Sequence, residues 1–288
     1  YGLVGSEMCI RDRIGSAVGG LAALFVPNWV GGEGAVWTGG LLGACAALCF
    51  AREIERPYHK RFAFLPVLFP LGWGLFCLLV LVFRPAIFEI RLSPYKGLSY
   101  ALQYPGAQIV SQRWNGFSRV DVVESGGIRS LPGLSYRYLD APPPQRGILV
   151  DGDDVSPNLQ LSPSVLSAAD AEALAFAGFL PTAVAYRLRP GGHALILEPR
   201  GGLEIWTALI EGAAQVTAVE FNPLVVEAAG DIYRNPRVHP VLEDSRSFVR
   251  QTSARYDVLT LALTTPYRPI RSGAYSLAED YAYLSLIH

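Results

Sequence analysis

This sequence is short of charge and nearly without methionine, and its few cysteines are confined to one region. Charged residues make up 17% of its 288 residues and the formal net charge is −1, whereas an ordinary soluble domain carries about 25% charged residues. A near-neutral charge excludes a nucleic-acid-binding protein that works by bulk electrostatic attraction. The four cysteines lie in the first third of the chain, three of them in apolar runs, which excludes a disulfide scaffold.

The sequence also lacks two features that would indicate chemistry. It has no cluster of metal ligands, and it has no G-x-G-x-x-G fingerprint. The four histidines are scattered and have no metal-ligand spacing. Residues 151–154 resemble half of a calcium loop but lack the later glutamate that such a loop needs. We therefore expect no bound metal, and the residues alone assign no catalytic side chain.

The one methionine, Met8, lies close to the start of the sequence but not at it. Residues 1–13 and residues 284–288 resemble translated sequencing adapters, a kind of segment that must be recognised before the fold is considered. We therefore expect both segments to be artefacts, and the sequence between them to be an internal fragment of a longer protein.

Long apolar stretches occupy the first hundred residues. Residues 62–83 form an uncharged stretch of 22 residues, and residues 34–51 form a second of 18, rich in glycine and alanine. About 20 apolar residues span the hydrocarbon core of a bilayer. Residues 14–30 form a third, weaker candidate. We therefore predict a transmembrane helical segment over residues 14–87, with the lipid bilayer as a partner and a bacterial cytoplasmic membrane as its location.

The basic residues give two opposite orientations for this segment. Residues 52–61 contain four basic residues, whereas the turn near residues 31–34 contains none, so the positive-inside rule places residues 52–61 in the cytoplasm. The opposite orientation is favoured by three basic residues just beyond the last apolar stretch, Arg84, Arg91 and Lys96. The side of the membrane on which the rest of the chain lies therefore stays open.

Short strand-like runs replace the long apolar stretches from about residue 88. Apolar residues and glycine- or proline-containing turns predict three β-strands in this region, at residues 109–114, 118–124 and 147–152. We therefore predict a small antiparallel β domain over residues 88–165.

The remaining sequence alternates between strands and helices. An alanine-rich helix is predicted over residues 170–185, broken at Pro181. The strands that follow are predicted at residues 193–198, 215–220, 238–244 and 256–263, and the helices between them at residues 203–211, 223–233 and 245–252. This alternation predicts a parallel, doubly wound sheet, and so a Rossmann-like α/β domain over residues 166–283.

Polar residues follow three of these strands, at the edge where such a sheet binds ligands. The turn at residues 200–202 lets a backbone approach a ligand closely, although a plain tight turn explains it equally well. Glu220 ends the second strand, where an acid accepts hydrogen bonds from ribose hydroxyls. Residues 244–245 suit both the recognition of an adenine edge and the cap of the next helix. The predicted cofactor-binding set is Arg200, Gly201, Gly202, Glu220, Asp244 and Ser245.

These segments resemble the spermidine synthase (aminopropyltransferase) family. Its order and spacing are followed by EPRGG (198–202), VEFNP (219–223), NPRV (235–238), EDSRSF (243–248) and YDV (256–258). Upstream, the small β domain of those enzymes is resembled by SPYK (93–96), RVDVVE (119–124) and VDG (150–152). Together with the apolar segment before it, the chain resembles the subfamily in which transmembrane helices precede a spermidine-synthase-like domain. The resemblance implies a class I methyltransferase-like Rossmann domain, truncated here at its carboxyl end.

The resemblance also implies a ligand and a reaction. The ligand is decarboxylated S-adenosylmethionine or S-adenosylmethionine, held as a co-substrate with its ribose on Glu220 and its adenine at Asp244 and Ser245. The turn from Arg200 to Gly202 would lie against the aminoalkyl-sulfonium end. In the reaction an amine attacks the carbon next to the sulfonium, and a nearby carboxylate holds the amine and helps to deprotonate it.

The sequence departs from the family pattern where these acids are expected. After the fourth strand the family has an Asp-Ser-Ser-Asp-Pro run, whereas this chain has ALTTP at residues 262–266, with Ala262 and Thr265 in place of both acids. The Tyr-His-Glu of the polyamine pocket is also absent. A dicationic amine needs carboxylates to offset its desolvation, and the remaining candidates are Glu198, Glu204 and Asp280. An anionic or neutral second ligand is indicated instead by Arg200, Arg268 and Arg271.

Two principal functions follow from this sequence. The first is a membrane-anchored, spermidine-synthase-like protein that binds the nucleoside and transfers an aminopropyl group to an amine, with altered amine-activating acids. The second is a non-catalytic nucleoside-binding domain that senses or regulates through its membrane segment. A third, an S-adenosylmethionine-dependent methyltransferase on the same fold, is disfavoured by the small β domain upstream. The oligomeric state is left open.

Overall fold

The computed structural model describes residues 2–53, 65–161 and 174–262. The chain divides into two compact units. The first comprises residues 1–91 and 113–119, and the second comprises residues 92–112 and 120–288.

The first unit is built on two apolar helices, α1 (Gly2–Glu53) and α2 (Leu65–Phe83). Helix α1 is interrupted at Gly31, whose backbone angles (φ 78°, ψ 176°) are non-helical and suit glycine. The sequence predicted a turn over residues 31–34, but the helix resumes directly after Gly31, so the interruption is shorter than predicted. Within the described residues one helix, over Arg13–Ala51, is long and apolar enough to cross a membrane, which by itself is weak support for a span.

Small residues allow helices α1 and α2 to approach each other closely. A Cβ atom added to Gly40 would lie 3.0 Å from Cys77 Sγ, and one added to Gly74 would lie 3.3 Å from the Cβ of Ala44. Outside this seam the large apolar side chains are exposed, for example Trp29 (83%), Phe69 (78%) and Phe83 (72%). The two helices therefore bury their small residues against each other and leave their large ones outward.

A short turn, residues 113–119, belongs to this first unit and packs on the interruption in α1. The ring of Trp114 lies so close to Gly32 that an added Cβ would be 2.7 Å from it. The Arg119 guanidinium carbon lies 5.8 Å from the centre of the same ring, within the range of a cation–π contact. The glycines at this point of α1 thus provide the room for an indole.

The second unit contains a small sheet and a short helix, α3 (Gly97–Ala101). The sheet has the order β1-β2-β3-β4, with β2–β3 and β3–β4 antiparallel. The strands are β1 (Gln108–Trp114), β2 (Arg119–Glu124), β3 (Gln145–Val150) and β4 (Asp153–Leu159). The three predicted strands are present, and β4, which the sequence reading did not separate from the turn after β3, is an addition.

The second sheet is parallel and has the order β7-β6-β5-β8. Its strands are β5 (His193–Leu197), β6 (Gln215–Val219), β7 (Val238–Val241) and β8 (Val258–Leu261). The helices between them are α5 (Leu203–Ile210), α6 (Pro223–Ala229) and α7 (Ser245–Gln251). Strand β5, the first of this sheet along the chain, lies inside the sheet and the chain order reverses there, so the predicted doubly wound α/β arrangement is confirmed.

Two of the predicted helices are shorter than expected. The described part of residues 170–185 forms a 3₁₀ turn (Ala175–Phe179), followed by helix α4 (Ala183–Leu188), so the break at Pro181 is present. The helix predicted over residues 223–233 ends at Ala229 and continues as a 3₁₀ turn from Gly230 to Arg234.

The core of the second unit lies between the parallel sheet and its helices. Strands β5 and β6 are apolar and almost fully buried along their length, as expected for strands covered on both faces. Helix α5 is buried over seven of its eight residues and contributes Ile205 and Trp206 to this core. The first turn of α5 and the turn before it are therefore packed against neighbouring elements on several sides.

Candidate functional site

Four chain segments leave the parallel sheet at one edge. The strand registers pair Leu197 with Val219 and with Leu261, and Val219 with Val241. The backbone ladder continues one residue further, because the Glu220 N–H donates to the Val241 carbonyl at 2.9 Å. The residues that follow β5, β6 and β8 therefore begin at the same level, at the carboxyl edge where doubly wound sheets bind ligands.

Glu220 is a buried carboxyl group at this edge. Its side chain is held by two backbone donors: the Arg200 N–H to Oε2 at 3.2 Å and the Asn222 N–H to Oε1 at 3.1 Å. Only 5% of the residue is exposed. Burial raises the pKa of Glu220 to about 7; the backbone donors and the Arg200 guanidinium act against this rise, and Glu198 adds to it. Glu220 therefore changes charge near neutral pH.

The turn at residues 200–202 is fastened to strand β4. The Gly201 N–H donates to Ser156 Oγ at 2.9 Å, and the Asn158 side-chain amide donates to the Gly201 carbonyl at 3.2 Å and to the Ala229 carbonyl at 3.0 Å. A Cβ atom on Gly201 would collide with the Pro157 carbonyl oxygen. Glycine is therefore required at position 201 by the close approach of β4.

Arg200 contributes to the site through its backbone as well as its charge. Its N–H donates to Glu220 and its carbonyl accepts from the Tyr233 hydroxyl at 2.8 Å. Glu198 and Arg200 both have positive φ angles, of 50° and 46°, which are uncommon for residues other than glycine. Complete burial raises the pKa of the Tyr233 phenol well above its usual range, so the phenol remains a hydrogen-bond donor to this turn.

Asp244 and Ser245 follow strand β7 as predicted, and the capping interpretation describes what Asp244 does. Asp244 Oδ2 accepts from the Ser247 N–H at 2.8 Å and caps helix α7. The Asp244 side chain is exposed, whereas Ser245 is buried and its hydroxyl has no partner among the described residues. The recognition of adenine by this pair stays a prediction.

No acid follows strand β8 at its first position, because Ala262 is there and is buried. A buried acid lies instead on the first turn of α5, two residues after Gly202: Glu204 is 2% exposed and accepts from the Thr182 hydroxyl at 2.8 Å. Burial raises the pKa of Glu204, and the Thr182 hydrogen bond acts in the opposite direction. A second buried pair, Tyr186 and Thr260, joins α4 to β8 at 2.8 Å.

Several residues of the sequence prediction lie outside the described residues. These are Thr265, Arg268, Arg271 and Asp280. Within the described part of the chain there is no group of three or more histidine, cysteine or acidic side chains that could hold a metal ion.

The side chains that hold the turn in place are not indicated by any clear sequence pattern. Ser156, Asn158 and Tyr233 are separated from the turn by 45, 43 and 33 positions along the chain. None of the three belongs to a recognisable motif. A weak signal was present, because the polar residues Ser156 and Asn158 alternate with apolar residues along β4.

We expect Glu220 to make the stability of the second unit depend on pH. Folding favours the protonated acid, since its pKa rises from an ordinary 4.5 to about 7. The contribution of the protonated acid to the free energy of unfolding is complete below the unfolded pKa. It is lost as the pH rises through about 7, and the total loss is about 3 kcal/mol. Glu220→Gln cannot ionise, so its free energy of unfolding lacks this decline. Chemical unfolding at about pH 5 and about pH 8 measures the difference.

The matched control is Glu227→Gln, which replaces an exposed glutamate on α6. This control is expected to retain the wild-type decline in stability. An identical decline in the wild type and in Glu220→Gln would contradict the prediction.

Comparison with known proteins gives matches among solved structures only. No protein-family model matches the sequence, and a search of curated proteins finds no match. A spermidine synthase in complex with the transition-state analogue AdoDATO is similar at 15% identity and a TM-score of 0.35, covering 54% of this chain and 47% of that chain. Spermidine synthase from Thermotoga maritima is similar at 16% identity and a TM-score of 0.36, covering 55% and 48%.

The chain therefore spans about half the length of the solved structures that it matches. At this identity and TM-score the likeness assigns no substrate and no reaction. The class of the fold follows from the strand order and pairing of this chain itself.

Proposed function

We propose that the second unit binds a nucleoside of the S-adenosylmethionine class at the carboxyl edge of its parallel sheet. The observation that carries the proposal is Glu220, a buried carboxyl group that follows β6 beside the Gly201–Gly202 turn. A buried acid in this position of a doubly wound sheet accepts hydrogen bonds from ribose hydroxyls.

The hydrogen bonding of Glu220 leaves capacity for two hydroxyl groups. A carboxylate offers about four acceptor sites, and the described contacts use one on each oxygen, for the Arg200 and Asn222 N–H groups. The two backbone donors also hold the side chain in one orientation. A vicinal pair of ribose hydroxyls can therefore bind without displacing either donor.

The resemblance to spermidine synthases makes decarboxylated S-adenosylmethionine the first ligand to test. In the reaction of that family a neutral amine nitrogen attacks the aminopropyl carbon bonded to sulfur. The new C–N bond forms as the C–S bond breaks, the electron pair leaves with 5′-methylthioadenosine, and a base takes the proton from the amine.

A second candidate function is nucleoside binding without turnover. Ala262 favours it, since this buried residue stands where the family pattern has the first amine-activating acid. A diamine substrate brings two positive charges into the site, and without a carboxylate its desolvation is not offset. Bound nucleoside would then act as a signal for the membrane segment.

We expect the full chain to bind 5′-methylthioadenosine and decarboxylated S-adenosylmethionine, and Glu220→Ala to weaken both. Loss of two hydrogen bonds to a charged acceptor predicts a fall in affinity of about 100-fold or more. Asp244→Ala is expected to weaken binding by about tenfold through loss of the adenine contact. Isothermal titration calorimetry of the detergent-solubilised protein measures these affinities.

The control for this experiment is Glu227→Ala, an exposed acid on α6. The affinity of this variant for both nucleosides is expected to equal that of the wild type. Equal binding by the wild type, Glu220→Ala and Asp244→Ala would refute the nucleoside site.

An assay of aminopropyl transfer to putrescine separates nucleoside binding with aminopropyl transfer from nucleoside binding without turnover. We expect bound decarboxylated S-adenosylmethionine to remain unconverted by the wild type, because Ala262 supplies no carboxylate. Ala262→Asp restores an acid at the end of β8 and is expected to raise the rate of 5′-methylthioadenosine release. Rapid turnover by the wild type would reject binding without turnover and establish the transferase.

We further propose that helices α1 and α2 anchor the protein in a lipid bilayer. Their outward faces carry large apolar side chains at high exposure, including Trp29, Phe69 and Phe83, and no described part of the chain covers them. The seam of small residues between the helices, Gly40 and Gly74, is the packing that helices use in lipid.

The expected behaviour is that of an integral membrane protein. After alkaline carbonate extraction of membranes the full chain should remain in the pellet, and only detergent should release it. A protein anchored by peripheral contacts leaves the membrane in carbonate. Recovery in the carbonate supernatant would overturn the anchoring proposal and leave the nucleoside site untouched.

A further inference from the structure

The tip of the β1–β2 hairpin contacts helix α1 on both sides of its interruption at Gly31. After the interruption, the ring of Trp114 occupies the space beside Gly32, where an added Cβ would lie 2.7 Å from ring carbon atoms. Before the interruption, a Cβ added to Gly116 would lie 2.7 Å from the Leu24 carbonyl oxygen. The tip therefore touches both halves of α1. It can fix the angle between them, because the backbone that separates the halves is non-helical.

Hydrogen bonds close this tip into a single turn. The Asn115 N–H donates to the Ser118 carbonyl at 2.9 Å, and Asn115 Oδ1 accepts from the Ser118 N–H at 2.7 Å and from the Ser118 hydroxyl at 3.0 Å. Both residues are buried. The Arg119 guanidinium lies over the ring of Trp114. Because the turn is bonded in this way, a displacement of the strands that carry it displaces the indole as well.

Hydrogen-bonded strands lead from this tip to the turn after β5. Residues 113–119 belong to the first unit, and strand β2 continues from the tip into the second unit. Strand β2 pairs with β3, and β3 pairs with β4. Strand β4 in turn holds Gly201 through Ser156 and Asn158. Networks of this kind carry energetic coupling between distant sites where they have two discrete arrangements, and the tip seated in or released from the interruption supplies two.

We propose that nucleoside binding and the seating of this tip in the interruption of α1 stabilise each other, an inference that rests on the nucleoside site proposed above. A nucleoside held by Glu220 needs the turn in its present position, because the Arg200 N–H orients the carboxyl group. The turn keeps that position through β4, and the strand pairings carry the constraint to the tip. Through this tip the bend of α1 responds to occupancy of the site.

A side chain placed where the indole lies tests the coupling from the helix. Gly32→Val introduces such a side chain and releases Trp114 from the interruption. The matched control is Gly39→Val, the same change in the same helix at a glycine with no atom within 4 Å of an added Cβ. Gly32→Val should weaken the binding of 5′-methylthioadenosine by about fivefold or more, and Gly39→Val should leave it unchanged. Isothermal titration calorimetry of the full chain in detergent measures these affinities.

A second variant removes the indole instead of blocking its place. Trp114→Ala introduces no clash, so it tests the coupling even where Gly32→Val fails to fold. It should weaken the binding of 5′-methylthioadenosine by about fivefold or more as well. Its control is Trp29→Ala, which removes an exposed indole from α1 and should leave the affinity for the nucleoside unchanged.

Hydrogen exchange tests the same coupling from the ligand, since coupling between two sites is reciprocal. Saturating 5′-methylthioadenosine should slow the exchange of the backbone N–H groups of residues 115–118 in the wild type, because it stabilises the seated tip. The same nucleoside concentration should slow exchange less in Glu220→Ala, which binds the nucleoside more weakly. Mass spectrometry of peptides that cover the tip measures the exchange.

The outcomes separate the coupling from the nucleoside site itself. Equal affinity in the wild type, Gly32→Val and Trp114→Ala would overturn the coupling and leave the nucleoside site intact. Unchanged exchange of the tip in the nucleoside-saturated wild type would do the same. Equal losses of affinity in the tip variants and in their controls would also overturn the coupling, since the effect would then not depend on the tip. Absence of nucleoside binding by the wild type would refute the nucleoside site, and the coupling with it.

Discussion

The close approach of strand β4 to the turn after β5 is the contact on which the candidate site depends. Gly201 has its N–H on Ser156 Oγ and its carbonyl on the Asn158 amide. These bonds fix a turn that contains two residues with positive φ angles, Glu198 and Arg200. A strained backbone persists only where its surroundings hold it. The small antiparallel sheet is thus a support for the carboxyl edge of the parallel sheet.

The same turn controls the state of Glu220. The Arg200 N–H binds the carboxyl group, and burial opposes its ionisation. The result is an acid that titrates near neutral pH and is held in one position. Such a group accepts hydroxyl donors best when ionised, so the proposed nucleoside binding would be coupled to proton release through one side chain.

The first unit obeys a different constraint. Its helices place glycine, alanine and cysteine in the seam and large apolar residues outside. Water would make this arrangement unfavourable, since it leaves many large apolar side chains of α1 and α2 exposed. In a bilayer the same arrangement is favourable, because lipid tails solvate the outward side chains and small residues let the backbones approach each other.

The order and type of most elements can be predicted from the sequence alone, since these depend on local patterns. Apolar runs such as residues 193–197 and the cap at Asp244 can be recognised without any knowledge of the fold. The short interruption at Gly31 and the end of α6 at Ala229 were misjudged, because a glycine ends a helix only where the surrounding packing takes the backbone out of the helical region.

The surroundings of each candidate residue depend on the tertiary structure. Glu220 was predicted as a strand-end acid, but its raised pKa results from burial, which brings together segments far apart in the chain. Ser156, Asn158 and Tyr233 bond to the turn across 33 to 45 positions. Contacts of this kind depend on packing between elements, which a one-dimensional pattern does not encode.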